Sequence, residues 1–238
     1  MYDQQAGEFK LRPGPLFTNI LLADEINRAP AKVQSALLES MAERQVSFGR
    51  RTFPLPELFL VMATQNPIEQ EGTYPLPEAQ LDRFLMQVNI DYPDASAERS
   101  ILQLVRKEAQ GNEGAAPHAL TQQTLFAARK SLLSMHMSPV VEEYIVNLTL
   151  ASRQPAQYDN DLSKWIEYGV SPRGTIGLDI CARASAFLAD RDFVTPDDVQ
   201  SVVHDVFRHR LITSFEAEAT GISADTIIDR LLEQVATA

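Results

Sequence analysis

The sequence has little cysteine, a shortage of basic residues and no long apolar run, and each shortage excludes a class of protein. A single cysteine, Cys181, leaves no disulfide framework and no cysteine-based zinc site. The 21 basic residues face 32 acidic ones, and this net charge of −11 argues against a protein whose main task is to grip a nucleic-acid backbone. Apolar runs such as 58–63 fall far short of the ~20 residues of a membrane helix. With a polar N-terminus unlike a signal peptide, we expect a cytoplasmic protein with no membrane span and no nucleic-acid partner.

The overall composition is that of an ordinary globular protein, but prolines and strand-like runs are unevenly distributed along the chain. The 238 residues are 45% hydrophobic and 22% charged, which fits one or two domains of about 150 residues each. Nine of the 14 prolines and all of the short strand-like runs lie in residues 1–93, whereas residues 94–238 carry amphipathic helical patterns. We therefore predict an α/β domain over 1–93 and an all-helical domain over 94–238.

The first domain has the pattern of a parallel sheet with helices. Continuous apolar runs predict buried parallel strands at 20–23 and 58–64, with a weaker third strand at 87–90. Apolar residues at helical spacing predict a helix over 29–43, and alternation around a Gly-Arg-Arg turn predicts a hairpin within 45–59.

The second domain reads as a series of capped helices. The predicted helices are 95–110, 121–135, 139–153, 172–189, 196–211 and 224–236. The predicted N-caps are Ser138, Ser171, Thr195 and Ser223. Asp198 completes a capping box with Thr195. We expect a break at 111–117 and a loop at 157–170.

The first predicted strand ends in two adjacent carboxylates, Asp24 and Glu25. An Asp at the end of such a strand can hold Mg²⁺, directly or through water, and the next carboxylate can polarise a water for attack on a γ-phosphate. This is a Walker B arrangement. Strands also end in Asp because loops are polar, and the motif alone leaves the two interpretations about even.

Three further polar residues fit the same chemistry. If the first two strands are parallel neighbours, Asn66 lies at the same sheet edge as Glu25 and could orient the attacking water; Asn-Pro is also a common turn starter. Arg83 could act as an arginine finger, or could form an ordinary ion pair. Arg173 lies in the first turn of a helix, where the macrodipole disfavours a cation, which hints at a phosphate partner.

Three segments together resemble one family. Residues 14–30, 63–84 and 171–174 are similar to the corresponding segments of MoxR-type AAA+ ATPases, the first two over long near-verbatim stretches. The resemblance implies a partial AAA+ P-loop NTPase core followed by an all-helical lid. By this resemblance Asp24 and Glu25 form the Walker B motif and Asn66 is sensor 1. Arg83 is the arginine finger, and Arg173 is sensor 2 on the helical lid.

The same resemblance implies cofactors and partners. ATP and Mg²⁺ would be bound, with Asp24 as the metal ligand. The chain would assemble into a ring, by family a hexamer, and would mature or activate partner proteins in a chaperone-like way. Partners of this kind often carry von Willebrand A domains or metal centres.

One family feature is missing from residues 1–238. No Gly-Lys dipeptide occurs and none of the five lysines follows a glycine-rich run, so the sequence contains no P-loop to cradle phosphates. We expect this polypeptide to begin inside the ATPase domain and to be inactive alone. The alternative is a non-catalytic interaction module that joins or caps an AAA+ ring. A DNA-remodelling AAA+ protein is disfavoured by the negative charge.

Overall fold

The computed structural model describes residues 2–3, 8–9, 14–49, 51–67, 71–111 and 119–237, and most of the break expected at 111–117 lies outside them. By its contacts the chain divides into two compact units, Met1–Phe84 and Leu85–Ala238. The division falls earlier than residue 93 because the segment after Phe84 bonds within the second unit: the Gln87 N–H donates to the Asp205 carbonyl at 2.8 Å. The functional domain bounds of 1–93 and 94–238 stay a prediction.

The first unit is built on short strands and one long helix. Its elements are β1 (Tyr2–Asp3), β2 (Glu8–Phe9), β3 (Ile20–Ala23), a 3₁₀ helix (Ile26–Arg28), α1 (Ala31–Glu43), β4 (Gln45–Phe48), β5 (Arg51–Pro54), β6 (Leu60–Ala63) and α2 (Glu78–Leu81). β1 and β2 form an antiparallel ribbon that the sequence did not predict. β4 and β5 form the expected hairpin, whose turn places Gly49 at φ +62°, a conformation open to glycine.

The predicted parallel pair is confirmed. β3 and β6 pair in parallel, with Ile20 opposite Leu60 and Ala23 opposite Ala63. One face of the pair belongs to a core with Ile26, Leu37, Leu38 and Leu76. The prediction that these strands are buried is wrong for their opposite face, which is exposed. Its side chains are Ile20, Leu22, Leu60 and Met62.

The predicted third strand, 87–90, is also wrong. These described residues adopt no strand, and Ile90 is 91% exposed. The Gln87 N–H donates to the carbonyl of Asp205 in the helix Pro196–Phe207. This backbone group is therefore bonded to a helix and not to a neighbouring strand.

The second unit is mainly helical. Its elements are α3 (Ala95–Ala109), α4 (Gln122–Leu133), α5 (Pro139–Arg153), a 3₁₀ helix (Pro155–Gln157), α6 (Asn160–Trp165), β7 (Ile166–Tyr168), α7 (Pro172–Leu188), α8 (Pro196–Phe207), β8 (Ile212–Thr213), α9 (Phe215–Ala219) and α10 (Ala224–Gln234). The six predicted helices are confirmed to within a few residues at their ends, as is the capping box of α8. The core gathers apolar side chains of α5, α7, α8 and α10.

The second unit differs in two details from the all-helical domain predicted from the sequence. The expected loop at 157–170 contains α6 and β7, and β7 pairs antiparallel with β8. This ribbon joins residues more than 40 positions apart, so no local sequence pattern predicts it.

Among the described residues, no helix is long and apolar enough to cross a membrane.

Candidate functional site

The carboxylate pair lies where the sequence placed it, directly after β3. Because Ala23 is opposite Ala63 in the parallel register, Asp24 and Glu25 leave the sheet beside Thr64, at the carboxyl ends of both strands. Open α/β sheets bind ligands at such an edge. Asp24 is exposed and Glu25 is half-buried, so both carboxylates can reach a ligand in solvent.

Thr64 ties the two carboxylate residues to β6. Its hydroxyl donates to Oδ1 of Asp24 at 2.6 Å and accepts the backbone N–H of Glu25 at 2.8 Å. Thr64 was not among the site residues predicted from the sequence, although it lies directly after an apolar strand and two residues before Asn66.

Glu25 has a left-handed backbone, with φ 48° and ψ 52°. A non-glycine residue in this region is uncommon and often lies at a functional site. The Glu25 carboxylate meets the guanidinium of Arg28, with Oε2 at 3.1 Å from Nε, and the Glu25 carbonyl accepts the Arg28 N–H at 2.8 Å. The 3₁₀ turn after the acidic pair places Arg28 beside the Glu25 carboxylate, a contact that the sequence did not predict.

Asn66 follows β6 at the same end of the sheet and is half-buried. Its parallel strand places it on the edge predicted from the sequence. The prediction that the two strands are parallel neighbours is confirmed, whereas the role of Asn66 stays a prediction.

A buried glutamine supports the turn that follows the carboxylates. Gln34 of α1 is only 1% exposed. Its amide donates to the Ile26 carbonyl at 3.1 Å and to the Tyr74 carbonyl at 2.8 Å, and the Tyr74 N–H donates to the Asn27 carbonyl at 2.6 Å. Since buried polar groups are costly unless bonded, these bonds hold the 3₁₀ turn and the loop around Tyr74 together. A glutamine within a helix gave no sequence signal for this role.

Arg83 follows α2 in the first unit. Its Nη1 donates to the Leu38 carbonyl of α1 at 3.0 Å. The residue as a whole is exposed, and the guanidinium is held at one nitrogen by the backbone of α1. The roles of Arg83 as an arginine finger or as a partner in an ordinary ion pair both stay predictions.

Arg173 belongs to the second unit, where it is the second residue of α7. The Ser171 hydroxyl caps this helix by accepting the Arg173 N–H at 3.2 Å, as predicted, and the side chain lies at the exposed N-terminal end. The next residue, Gly174, is buried: a Cβ there would lie 2.1 Å from Cγ1 of Val170. The glycine therefore lets the start of α7 pack closely beneath Arg173.

The residues at this edge of the sheet suit a Mg²⁺ ion whose remaining ligands are waters and the phosphates of a bound substrate. The described residues contain no group of three or more His, Cys, Asp or Glu side chains that could hold a metal. Mg²⁺ is usually bound by one or two carboxylates together with waters and substrate phosphates. The exposed Asp24 carboxylate, with further acceptor sites beyond its bond to Thr64, fits such a metal.

Family models match both units. Residues 1–86 match the ATPase family associated with various cellular activities (AAA), and residues 161–231 match the AAA lid domain. The fold and the lid define an AAA+ ATPase, and the predicted partial core followed by a helical lid is confirmed.

Comparison with similar proteins shows to which group of AAA+ ATPases the chain is related. The chain is 46% identical to the chaperone MoxR1 of Mycobacterium tuberculosis over 237 residues, which is 99% of this chain and 62% of that protein. It is 41% identical to the uncharacterized protein YeaC of Bacillus subtilis over 235 residues, covering 99% of this chain and 70% of YeaC. The crystal structure of a putative ATPase from Cytophaga hutchinsonii superposes with a TM-score of 0.91 at 44% identity, covering 99% of this chain and 71% of that one.

The chain therefore belongs to the MoxR-type family of AAA+ ATPases, as the sequence motifs indicated. It spans 62% of the length of MoxR1.

Proposed function

We propose that this chain forms the Walker B, sensor and lid portion of an ATPase that binds Mg²⁺·ATP and hydrolyses it to drive chaperone-like work on partner proteins. The parallel pairing of β3 with β6 carries the proposal, because it brings Asp24, Glu25 and the segment containing Asn66 to one edge of the sheet. The family membership supports the ATPase class.

Each residue at that edge has a defined task in the proposal. Asp24 holds Mg²⁺, directly or through water. Glu25 accepts the proton of the attacking water, and Asn66 orients that water by hydrogen bonding. Bound Mg²⁺·ATP would supply the electrophilic γ-phosphate and the positive charge that offsets its negative oxygens.

Arg28 forms an ion pair with the proposed base, Glu25, and this contact must be exchanged before Glu25 can activate a water. Its ion pair with the Glu25 carboxylate occupies one carboxylate oxygen and fixes the direction of the side chain. The pair is partly exposed, so its intrinsic strength is small, and the carboxylate can exchange this contact for a water when a ligand binds.

The two arginines act at different places. Arg83 reaches the ATP of a neighbouring subunit and neutralises charge in the transition state. Arg173 meets the γ-phosphate from the lid, where a bidentate guanidinium suits phosphate geometry. A trans-acting arginine requires a ring, and family resemblance favours a hexamer. Resemblance alone suggests partners with von Willebrand A domains and metalloprotein clients.

For residues 1–238 alone we propose negligible hydrolysis, since the sequence contains no P-loop. The alternative is a non-catalytic interaction module that joins or caps an AAA+ ring. Reading the DNA upstream of the Met1 codon separates the two: an in-frame glycine-rich P-loop favours the ATPase, and its absence favours the module.

The decisive experiment is Glu25→Gln in a polypeptide that carries a P-loop segment ahead of these residues. The amide fills the same space but accepts no proton, so ATP binding should persist while phosphate release falls by roughly 10²–10⁴-fold. Glu57→Gln, at an exposed position of the same unit, is the matched control and should leave the rate unchanged. Full activity of the Glu25→Gln variant would show that Glu25 is not the base.

A further inference from the structure

Thr64 contacts both residues of the acidic pair through a single group, its side-chain hydroxyl. Its Oγ1 donates to Asp24 Oδ1 at 2.6 Å and accepts the Glu25 N–H at 2.8 Å. A hydroxyl has one hydrogen to donate and two lone pairs to accept with, so both bonds form at the same time. The orientation of the carboxylate that would bind metal is therefore linked to the backbone of the residue that would act as base.

The backbone of Thr64 extends the same attachment. Its N–H donates to the Ala23 carbonyl at 3.1 Å, and its carbonyl accepts the Ile26 N–H at 3.0 Å. Thr64 thus bonds to every residue of the segment 23–26. The segment begins at Ala23, the last paired residue of β3, and Thr64 continues the hydrogen bonding between the two strands beyond the point where the ladder ends.

The left-handed backbone of Glu25 needs this attachment. The conformation at φ 48° is disfavoured for a residue with a Cβ and persists only where surrounding contacts determine it. Thr64 fixes the N–H of Glu25 on one side, and the 3₁₀ turn fixes its carbonyl through Arg28 on the other. These two contacts hold the Glu25 backbone in this conformation, and the ion pair with Arg28 directs its carboxylate.

We propose that Thr64 is a positioning residue for the hydrolytic site: its hydroxyl holds the Asp24 carboxylate and the Glu25 backbone in the arrangement that metal binding and water activation require. This inference rests on the proposed function. Valine at this position keeps the β-branched shape and removes only the hydroxyl, whereas serine keeps the hydroxyl, so the two variants separate shape from hydrogen bonding.

The first test measures amide hydrogen exchange in residues 1–238 as they stand, by nuclear magnetic resonance and without nucleotide. In Thr64→Val the Glu25 amide should exchange roughly fivefold faster, as expected for one lost hydrogen bond. Thr64→Ser should exchange at the wild-type rate. Thr52→Val, on the exposed strand β5 with a hydroxyl 3.4 Å from that of Ser47, is the matched control and should leave Glu25 unchanged.

The exchange result decides the anchoring role without reference to catalysis. Unchanged exchange at Glu25 in Thr64→Val would overturn the proposal, as would equal acceleration in Thr64→Ser. Should the valine variant fail to fold, Thr64→Ala provides the same contrast with serine.

The second test measures metal binding with Mn²⁺ alone as the probe, through paramagnetic broadening of the Asp24 and Glu25 amide signals. Thr64→Val should need several-fold more Mn²⁺ than wild type for equal broadening, and Thr64→Ser should match wild type. An unchanged Mn²⁺ requirement in the valine variant would overturn the positioning of the metal carboxylate. If wild type shows no broadening there, the metal assignment of the proposed function fails, while the exchange rates still decide whether Thr64 anchors Glu25.

Discussion

The start of α8 offers a sharp test of how a buried carboxylate stabilises the lid. Asp198 is only 3% exposed. Its Oδ2 accepts Nη1 of Arg191 at 2.8 Å, and its Oδ1 accepts Nη2 of the same guanidinium. Oδ2 also accepts the N–H and the hydroxyl of Thr195, both at 2.8 Å. Burial by itself would raise the pKa of Asp198, but these hydrogen bonds outweigh it and lower the pKa to about 2.

The size of the effect follows from the pKa. A carboxyl held at about 2 rather than its ordinary 3.8 stabilises the folded lid by about 2 kcal/mol at neutral pH. Because the folded pKa is the lower one, this stabilisation is complete above the unfolded value and is lost as the pH falls through the folded value. About half of it should be gone near pH 3.

The perturbation is Asp198→Asn, which keeps the shape and removes the charge. We expect the free energy of unfolding to fall by about 2 kcal/mol at pH 7, and the difference from wild type to shrink progressively between about pH 4 and pH 2. Trp165 is the single tryptophan of the chain and packs against the core of the second unit, so its fluorescence during urea unfolding reports on the lid.

Asp197→Asn is the matched control, because Asp197 lies in the same first helical turn but is exposed. It should retain most of the wild-type stability, since a charge near a helix N-terminus contributes only about 0.3–1 kcal/mol. A stability difference between wild type and Asp198→Asn that stays constant from pH 7 to pH 2 would refute the reasoning, as would equal losses in the two variants.

Three further predictions concern the arginines and the start of α7. In a P-loop-bearing polypeptide, Arg83→Ala subunits mixed with Glu25→Gln subunits should recover part of the phosphate release that each lacks alone; no recovery at any ratio, in rings shown to form by light scattering, would contradict a trans role. In the same polypeptide Arg173→Ala should lose hydrolysis and the ATP-dependent protection of the lid from protease, and Arg173→Lys should rescue poorly because a point charge does not reproduce the guanidinium fork; equal protection by ATP in wild type and alanine variant would remove Arg173 from the site. Gly174→Ala should destabilise the lid by about 1–3 kcal/mol through overpacking against Val170, measured by Trp165 fluorescence, and wild-type stability would show that the side chain can move aside.

The starts of the helices were determined by the sequence itself. Ser138, Ser171 and Ser223 each cap the helix that was predicted to follow, by accepting a backbone N–H within three residues. The strand end at Asp24 and Glu25 was equally local, because an apolar run followed by two carboxylates marks both the strand and its exposed edge. The family was readable for the same reason: its motifs are contiguous segments.

Tertiary structure alone decided which strands pair and what holds the carboxylates. Residues 87–90 have the apolar character of a strand but adopt none in the described segment, whereas 166–168 and 212–213 pair without a strong local pattern. The bond between Thr64 and Asp24 joins residues 40 positions apart, and Gln34 meets Tyr74 across a similar separation. A cap is satisfied by neighbours along the chain, so its residue type reveals it. A cross-strand hydroxyl or a buried amide finds its partner only after the chain has folded, because the partner is set by register and packing.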